Sequence, residues 1–78
     1  MTIDITTPDK KLFSGEASLV QLPGIDGSFE ILNRHAPMVS VLGAGNIKVI
    51  DNNKNISFYE IKNGIVEVLK NKVIILAE

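Results

Sequence analysis

The 78-residue sequence contains no cysteine, no tryptophan and only one histidine. Without cysteine the chain cannot form a disulfide, a thiolate nucleophile or a cysteine-ligated zinc or iron–sulfur centre. A single histidine likewise excludes a metal site built mainly from imidazole ligands. We therefore expect the protein to hold no metal and no other cofactor.

An excess of charge of either sign is also absent, because 8 basic residues stand against 9 acidic ones and the formal net charge is -1. Nucleic-acid-binding domains carry a basic patch or stripe, and anionic membranes attract basic runs; neither pattern occurs. No apolar stretch approaches the roughly 20 residues that span a bilayer, and residues 1–8 do not resemble a signal peptide. We expect a protein that is soluble or only peripherally attached to a larger structure.

Apolar residues that alternate with polar ones dominate the sequence. A period of two is typical of half-buried β-strands, and the alternating residues are the β-branched and aromatic types that strands prefer. Such pairs are Ile3 and Ile5, Phe29 and Ile31, Val39 and Val41, Ile47 and Val49, and Val66 and Val68. The pattern predicts one all-β domain over residues 1–78, a small antiparallel β-sandwich or flattened barrel of roughly eight to ten short strands with no helix.

Asparagine and glycine mark the last turns of the predicted fold. Asn63-Gly64 is the strongest local signal, because both residues tolerate positive φ and suit a type I′ turn. It predicts a hairpin that joins residues 56–62 to residues 65–70. Asn71 is expected to turn the strand pair that follows.

Gly24, Gly27 and Pro37 are expected to shape the middle of the chain. The two glycines bound a turn in which we expect positive φ, which glycine adopts without strain. Pro37 is expected to set the geometry of its loop. The glycines do not form a phosphate-binding loop, since no Lys-Ser or Lys-Thr pair follows them. We therefore expect no nucleotide site.

Side chains suited to catalysis are few. His35, Asp26 and Ser28 could be combined into a hydrolase-like trio, but such a triad is defined by its geometry, and their spacing supports none. We expect no catalytic residue. The composition is that of a non-catalytic interaction module.

A free-standing β-sandwich that binds a small ligand is the alternative from another class of protein. Such a module would present an exposed platform of aromatic side chains to its ligand. The candidates for that platform are Phe29, Phe58 and Tyr59.

The stretch from Leu22 to Met38, LPGIDGSFEILNRHAPM, resembles the signature of the epsilon subunits of F-type ATP synthases, the counterparts of the mitochondrial delta subunit. That family's pattern is roughly L-P-G-x-x-G-x-[FL]-G-I-L-x-x-H-A-P-[LM]. Residues 63–68 resemble the family's G-G-[FI]-x-E-V segment. Two positions depart from the pattern: Glu30 stands where the family usually has glycine, and Arg34 stands where it often does.

The resemblance implies a non-catalytic rotor subunit. In this family the sandwich clamps the gamma subunit of the central stalk to the membrane ring of c subunits, which couples proton-driven rotation to ATP synthesis. Most bacterial members continue into a two-helix regulatory domain. Since this chain ends at Glu78, we expect it neither to sense ATP nor to inhibit the enzyme. The expected location is peripheral, at the cytoplasmic face of the bacterial inner membrane.

The resemblance also implies two contact regions, one towards each partner. The residues expected to contact the c-ring are Asp26, Ser28, Phe29 and Glu30. The residues expected to contact the gamma subunit are Thr7, His35, Met38 and Ser40. For His35, a purely structural hydrogen bond within its loop is an equally open interpretation.

Overall fold

The structure, a computed structural model, describes residues 1–78 and contains eight strands and no helix. In chain order the strands are β1 (Thr2–Thr6), β2 (Lys11–Gly24), β3 (Gly27–Leu32), β4 (Met38–Leu42), β5 (Gly45–Asp51), β6 (Ile56–Ile61), β7 (Gly64–Leu69) and β8 (Lys72–Ala77). The predicted all-β fold is confirmed. No helix is present that could reach across a membrane.

The 14-residue strand β2 joins the two layers of the sandwich. Its first half pairs with β1, and that layer continues through β8 and β7 to β4. Its second half lies between β3 and β5, and β6 forms the edge beyond β5. The pairing of β2 with β5 shifts register between Ala17 and Leu19. Such an irregularity lets one strand bend from one layer into the other.

The core between the layers consists of 16 buried residues, all of them apolar. Most are isoleucine or valine, so the β-branched residues of the alternating pattern are also the ones that fill the interior. Burying one such side chain contributes about 1.5–3 kcal/mol. Phe13, Phe29 and Tyr59 are partly buried and pack against the margin of this core.

One strand pair contradicts the prediction that all strands pair antiparallel. β1 and β8 run parallel, with Ile3 opposite Val73 and Ile5 opposite Ile75. Parallel neighbours need a long crossover connection, usually a helix, and the sequence indicates no such helix. Here the connection is the whole chain between the first and last strands, so no helix is needed to bring them side by side.

The predicted Asn63-Gly64 hairpin is wrong. β6 pairs only with β5, and β7 pairs with β4 and β8, so the strands on either side of Asn63 do not pair with each other. Neither Asn63 nor Gly64 has the positive φ of a type I′ turn. Gly64 serves a close approach between strands instead, because a Cβ there would lie 2.7 Å from the carbonyl oxygen of Leu76.

The type I′ turn of the structure lies at Lys70 and Asn71, which join β7 to β8. Their φ angles are 52° and 62°, the geometry that matches the twist of the flanking strands. The prediction that Asn71 turns the last strand pair is confirmed. The Asn71 Oδ1 also accepts a hydrogen bond of 2.7 Å from the backbone N–H of Arg34, which ties the β3–β4 loop to this turn.

Gly24 and Gly27 pair across the two-residue turn between β2 and β3. Gly27 has a φ of 128°, as predicted, but the prediction of positive φ for Gly24 is wrong. A Cβ on Gly24 would lie 2.6 Å from the Gly27 carbonyl oxygen and 2.8 Å from the ring of Phe29, so glycine is needed there for space. Pro37 directly precedes β4, and every peptide bond in the chain is trans.

The loop of residues 52–55 between β5 and β6 is organised by the carboxylate of Asp51. Its Oδ1 accepts hydrogen bonds from the backbone N–H groups of Asn53 at 2.8 Å and of Asn55 at 2.9 Å. These bonds favour the ionised form, the one from Asn55 most of all, and hold the pKa of Asp51 below its usual value. The carboxylate thereby closes a polar loop at one end of the sandwich.

Candidate interaction faces

Two outer surfaces of the sandwich expose apolar side chains on regular strands. The first is the outer side of β4, β7 and β8, which we call the β4–β7–β8 face. Cross-strand pairing arranges it in two rows, Val41–Ile65–Leu76 and Val39–Glu67–Ile74. Val39 is 63% exposed and Leu76 is 54% exposed. Glu67 is the single charged residue among these six, and the next row on the same side, Leu69–Lys72, adds one exposed leucine and one lysine.

The inner side of the same three strands already supplies the core. Leu42, Val66, Val68, Val73 and Ile75 are almost completely buried there. These strands are therefore apolar on both sides, which is the pattern of strands that are covered on both faces. A contiguous exposed apolar patch on a small domain marks a site of interaction. The β4–β7–β8 face is the candidate for such a site.

The second surface is the outer side of β3, β2, β5 and β6, which we call the β3–β6 face. Its two rows are Glu30–Gln21–Lys48–Phe58 and Leu32–Leu19–Ile50–Ile56. Phe58 is 61% exposed and Ile56 is 55% exposed. Three of the four residues in the first row are polar or charged. The β3–β6 face is therefore of mixed polarity, whereas the β4–β7–β8 face is mostly apolar.

Thr7 and His35, two of the residues expected to contact a gamma subunit, lie at opposite ends of the first layer. Thr7 shares an open groove with Gly64 at the start of β7. His35 shares another with Leu69 at the end of that strand. Five steps of extended chain separate these ends, or about 17 Å. The β4–β7–β8 face lies between them.

His35 is exposed, and its Nδ1 donates a hydrogen bond of 2.7 Å to the carbonyl oxygen of Ala36. A hydrogen bond of the kind that the structural interpretation of His35 requires is therefore present, and contact with a gamma subunit stays the other interpretation. Ser28 lies near the start of β3, about 13 Å along the strand from its last residue, Leu32. Asp26 lies in the turn before Ser28. The hydrolase-like trio is therefore not assembled. No three His, Asp and Glu side chains form a cluster that could hold a metal ion.

Met38 and Ser40, also expected to contact a gamma subunit, are half-buried on the inner side of β4. Their neighbours Val39 and Val41 are the ones that face outward. Sequence reasoning did not select these two valines. The only available signal was the alternation of residues, which separates the two sides of a strand. It does not show which side faces the core here, because the polar Ser40 lies on the inner side.

The residues expected to contact a c-ring differ in exposure. Asp26 is exposed at the tip of the β2–β3 turn, and Ser28 and Glu30 are exposed on the outer side of β3. Phe29 lies on the inner side of β3, opposite the buried Leu22, and packs against the core. The β2–β3 hairpin therefore offers a mixed contact surface, in which these polar residues lie beside the exposed Ile25 and Leu32.

The aromatic platform required by a ligand-binding module is not assembled. Phe58 is exposed, but Tyr59 lies on the inner side of β6, where its ring packs edge-to-face with Phe13 at a centroid distance of 6.1 Å. Phe29 also packs against the core. The three candidate rings therefore do not share one surface.

The family model for the beta-sandwich domain of the ATP synthase delta/epsilon chain matches residues 1–78. The chain belongs to this family. Its two layers of strands are those of the family's sandwich domain, and the sequence motif from Leu22 to Met38 spans the β2–β3 hairpin and the loop that leads into β4. We therefore interpret the two faces as surfaces of a delta/epsilon sandwich domain.

Curated relatives of this delta/epsilon chain are ATP synthase epsilon chains. That of Chlorobium limicola is 41% identical over 76 residues, which cover 97% of this chain and 86% of the relative. That of Salinibacter ruber is 40% identical over 86 residues, which cover 100% of this chain and 58% of the relative. The chain thus spans most of the first relative but little more than half of the second.

Solved structures share the fold of this delta/epsilon chain. A chain in the cryo-EM structure of the Euglena gracilis mitochondrial ATP synthase matches with a TM-score of 0.89 at 21% identity, over 96% of this chain and 48% of that one. A chain in the Tetrahymena thermophila mitochondrial ATP synthase structure of the central stalk and c-ring matches with a TM-score of 0.82 at 24% identity, over 99% of this chain and 62% of that one. At these identities the likeness concerns the fold.

Proposed function

We propose that the chain is a non-catalytic rotor subunit of an F-type ATP synthase, which joins the gamma subunit of the central stalk to the membrane ring of c subunits. Membership of the delta/epsilon family supports the choice of complex. The main support for the mechanical role is that the β4–β7–β8 face exposes apolar side chains. An exposed apolar surface of this kind marks a site at which another protein binds. The subunit transmits torque and makes or breaks no bond itself.

A single partner accounts for the positions of both Thr7 and His35. Since they lie at opposite ends of the first layer, a subunit that touches both has to cover the face between them. We assign the gamma contact to the β4–β7–β8 face. On β4 that contact is made by Val39 and Val41, which face outward, more than by the inward side chains of Met38 and Ser40.

The c-ring contact is assigned to the polar residues of the β2–β3 hairpin, Asp26, Ser28 and Glu30. The outer side of β3 belongs to the second layer, and the gamma contact belongs to the first. Two partners can therefore bind at the same time, which a coupling subunit requires. The complex holds the chain at the cytoplasmic face of the bacterial inner membrane. We assign to residues 1–78 this mechanical role alone, without ATP sensing or inhibition.

Isothermal titration calorimetry with the gamma subunit of the same organism tests this function. We expect saturable binding with one chain per gamma subunit. The chain is first shown to be folded by its circular dichroism spectrum and by cooperative thermal unfolding. A folded chain that gives no heat of binding would contradict the proposal.

Arginine at positions 28 and 30 is expected to uncouple the enzyme. In membrane vesicles that carry the assembled ATP synthase, Ser28→Arg with Glu30→Arg should leave ATP hydrolysis intact and abolish most ATP-driven proton pumping. Two bulky cations on the outer side of β3 would disturb the fit against the ring, whereas the core residues of that strand are untouched. Hydrolysis and the quenching of a pH-sensitive dye are measured in parallel.

The matched control places the same two arginines in the loop of residues 52–55, as Asn52→Arg with Asn53→Arg. Both asparagine side chains are exposed and make no side-chain hydrogen bond, so this variant should pump like the parent. Normal pumping by the Ser28 and Glu30 variant would remove the ring contact from the β2–β3 hairpin.

A further inference from the structure

A single carboxylate interrupts the β4–β7–β8 face. Glu67 lies at the middle of β7, with Val39 opposite it on β4 and Ile74 opposite it on β8. A depression of about 200 Å³ is lined by Val39, Ile65, Glu67, Ile74 and Leu76. Glu67 is thus bordered by aliphatic side chains, and Lys72, which faces the same side from the adjacent row Leu69–Lys72, forms no ion pair with it.

The other carboxylates on the outer side of the first layer have partners within the chain. Asp4 accepts a hydrogen bond of 2.7 Å from the Ser14 hydroxyl, and the Lys11 Nζ lies 3.8 Å from it. Glu16 accepts one of 2.6 Å from the Thr2 hydroxyl. Glu67 makes no side-chain hydrogen bond and no ion pair.

An unpartnered carboxylate carries a cost when an apolar surface covers it. In the free chain, water solvates Glu67, and this costs nothing. Once a partner excludes that water, burying the charge without a counter-charge costs several kcal/mol of binding free energy. This cost exceeds the favourable free energy of burying an apolar area the size of one carboxylate. A partner that covers this face therefore has to supply a cation at that point or leave the centre of the interface wet.

We infer that Glu67 pairs with a lysine or arginine side chain of the gamma subunit, set within an apolar surface that covers Val39, Ile65, Ile74 and Leu76. This rests on the proposed function, which assigns the face to gamma. The apolar rim excludes water and strengthens the ion pair, and the pair fixes the register of the two surfaces. Glu67 is then the residue that distinguishes gamma from any merely apolar partner.

The sign of one substitution tests this inference. If the face were only apolar, Glu67→Leu would enlarge it and tighten gamma binding. If Glu67 neutralises a cation, Glu67→Leu leaves that cation buried and unpaired, and affinity should fall by about 30-fold or more. Binding is measured by calorimetry with the parent chain, Glu67→Leu and Glu67→Gln, each shown to be folded by thermal unfolding. Glu67→Gln keeps the shape, removes the charge and should also weaken binding.

Glu60→Leu is the matched control. Glu60 is an exposed carboxylate on β6 in the other layer, so its loss should leave the affinity for gamma within a factor of two or so of the parent value. Tighter or unchanged binding by Glu67→Leu, with parental binding intact, would overturn the ion pair and leave the proposed function standing. If the parent chain itself fails to bind gamma, the proposed function and this inference fall together.

Discussion

Gly64→Ala is expected to lower the free energy of unfolding by about 2 kcal/mol or more, whereas Asn63→Ala should change it by less than about 0.5 kcal/mol. A Cβ at position 64 would lie 2.7 Å from the Leu76 carbonyl oxygen and 3.3 Å from the Ala77 Cα. Both atoms belong to the backbone of β8, which pairs with β1 on one side and β7 on the other. They cannot move aside without distorting the whole first layer.

Urea-induced unfolding followed by circular dichroism measures this difference. Gly43→Ala is the matched glycine control, because a Cβ there meets nothing closer than 3.6 Å and the residue does not have positive φ. It should be neutral or slightly stabilising, since alanine reduces the entropy of the unfolded chain. Equal destabilisation by Asn63→Ala and Gly64→Ala would show that backbone geometry at the two residues matters, not the close approach to β8.

The two candidate turns show where local sequence signals end. Asn63-Gly64 has the ideal composition for a type I′ turn, and Lys70-Asn71 has a poorer one, yet the turn forms at the second site. A turn closes a hairpin only if the flanking strands pair, and β6 and β7 belong to different layers. Which strands pair depends on which side of each strand is buried. Burial is a property of the whole chain, and a four-residue segment does not contain it.

Strand positions and the core were largely predictable from alternation, because burial on one side of a pleated strand demands a period of two. The functional side of a strand was harder to predict. On β4 the pattern Met38-Val39-Ser40-Val41-Leu42 offers apolar residues on both sides, and only pairing with β7 shows that Val39 and Val41 face outward. The sequence motif selected the loop before β4 and β4 itself as a proposed contact region, while the outward-facing residues of that strand followed from the register.

Val41→Asp is expected to weaken gamma binding by at least about 100-fold, because it places an unpaired charge in the row Val41–Ile65–Leu76 within the proposed interface. In the free chain the side chain at position 41 is half exposed, at 51%. The substitution should therefore cost the isolated domain no more than about 1 kcal/mol, which is the span of strand preferences. Calorimetry with gamma and thermal unfolding of the free chain separate the two effects.

Phe58→Asp is the matched variant on the β3–β6 face. It introduces the same charge at a side chain of similar exposure, 61%, but on the opposite layer, so affinity for gamma should be retained. If Phe58→Asp abolished binding and Val41→Asp did not, the gamma contact would belong to the second layer, and Thr7 and His35 could not both touch the partner. If both variants bound like the parent, neither apolar face would be the interface. If gamma covers the exposed valines of β4, only the charge at position 41 should abolish binding.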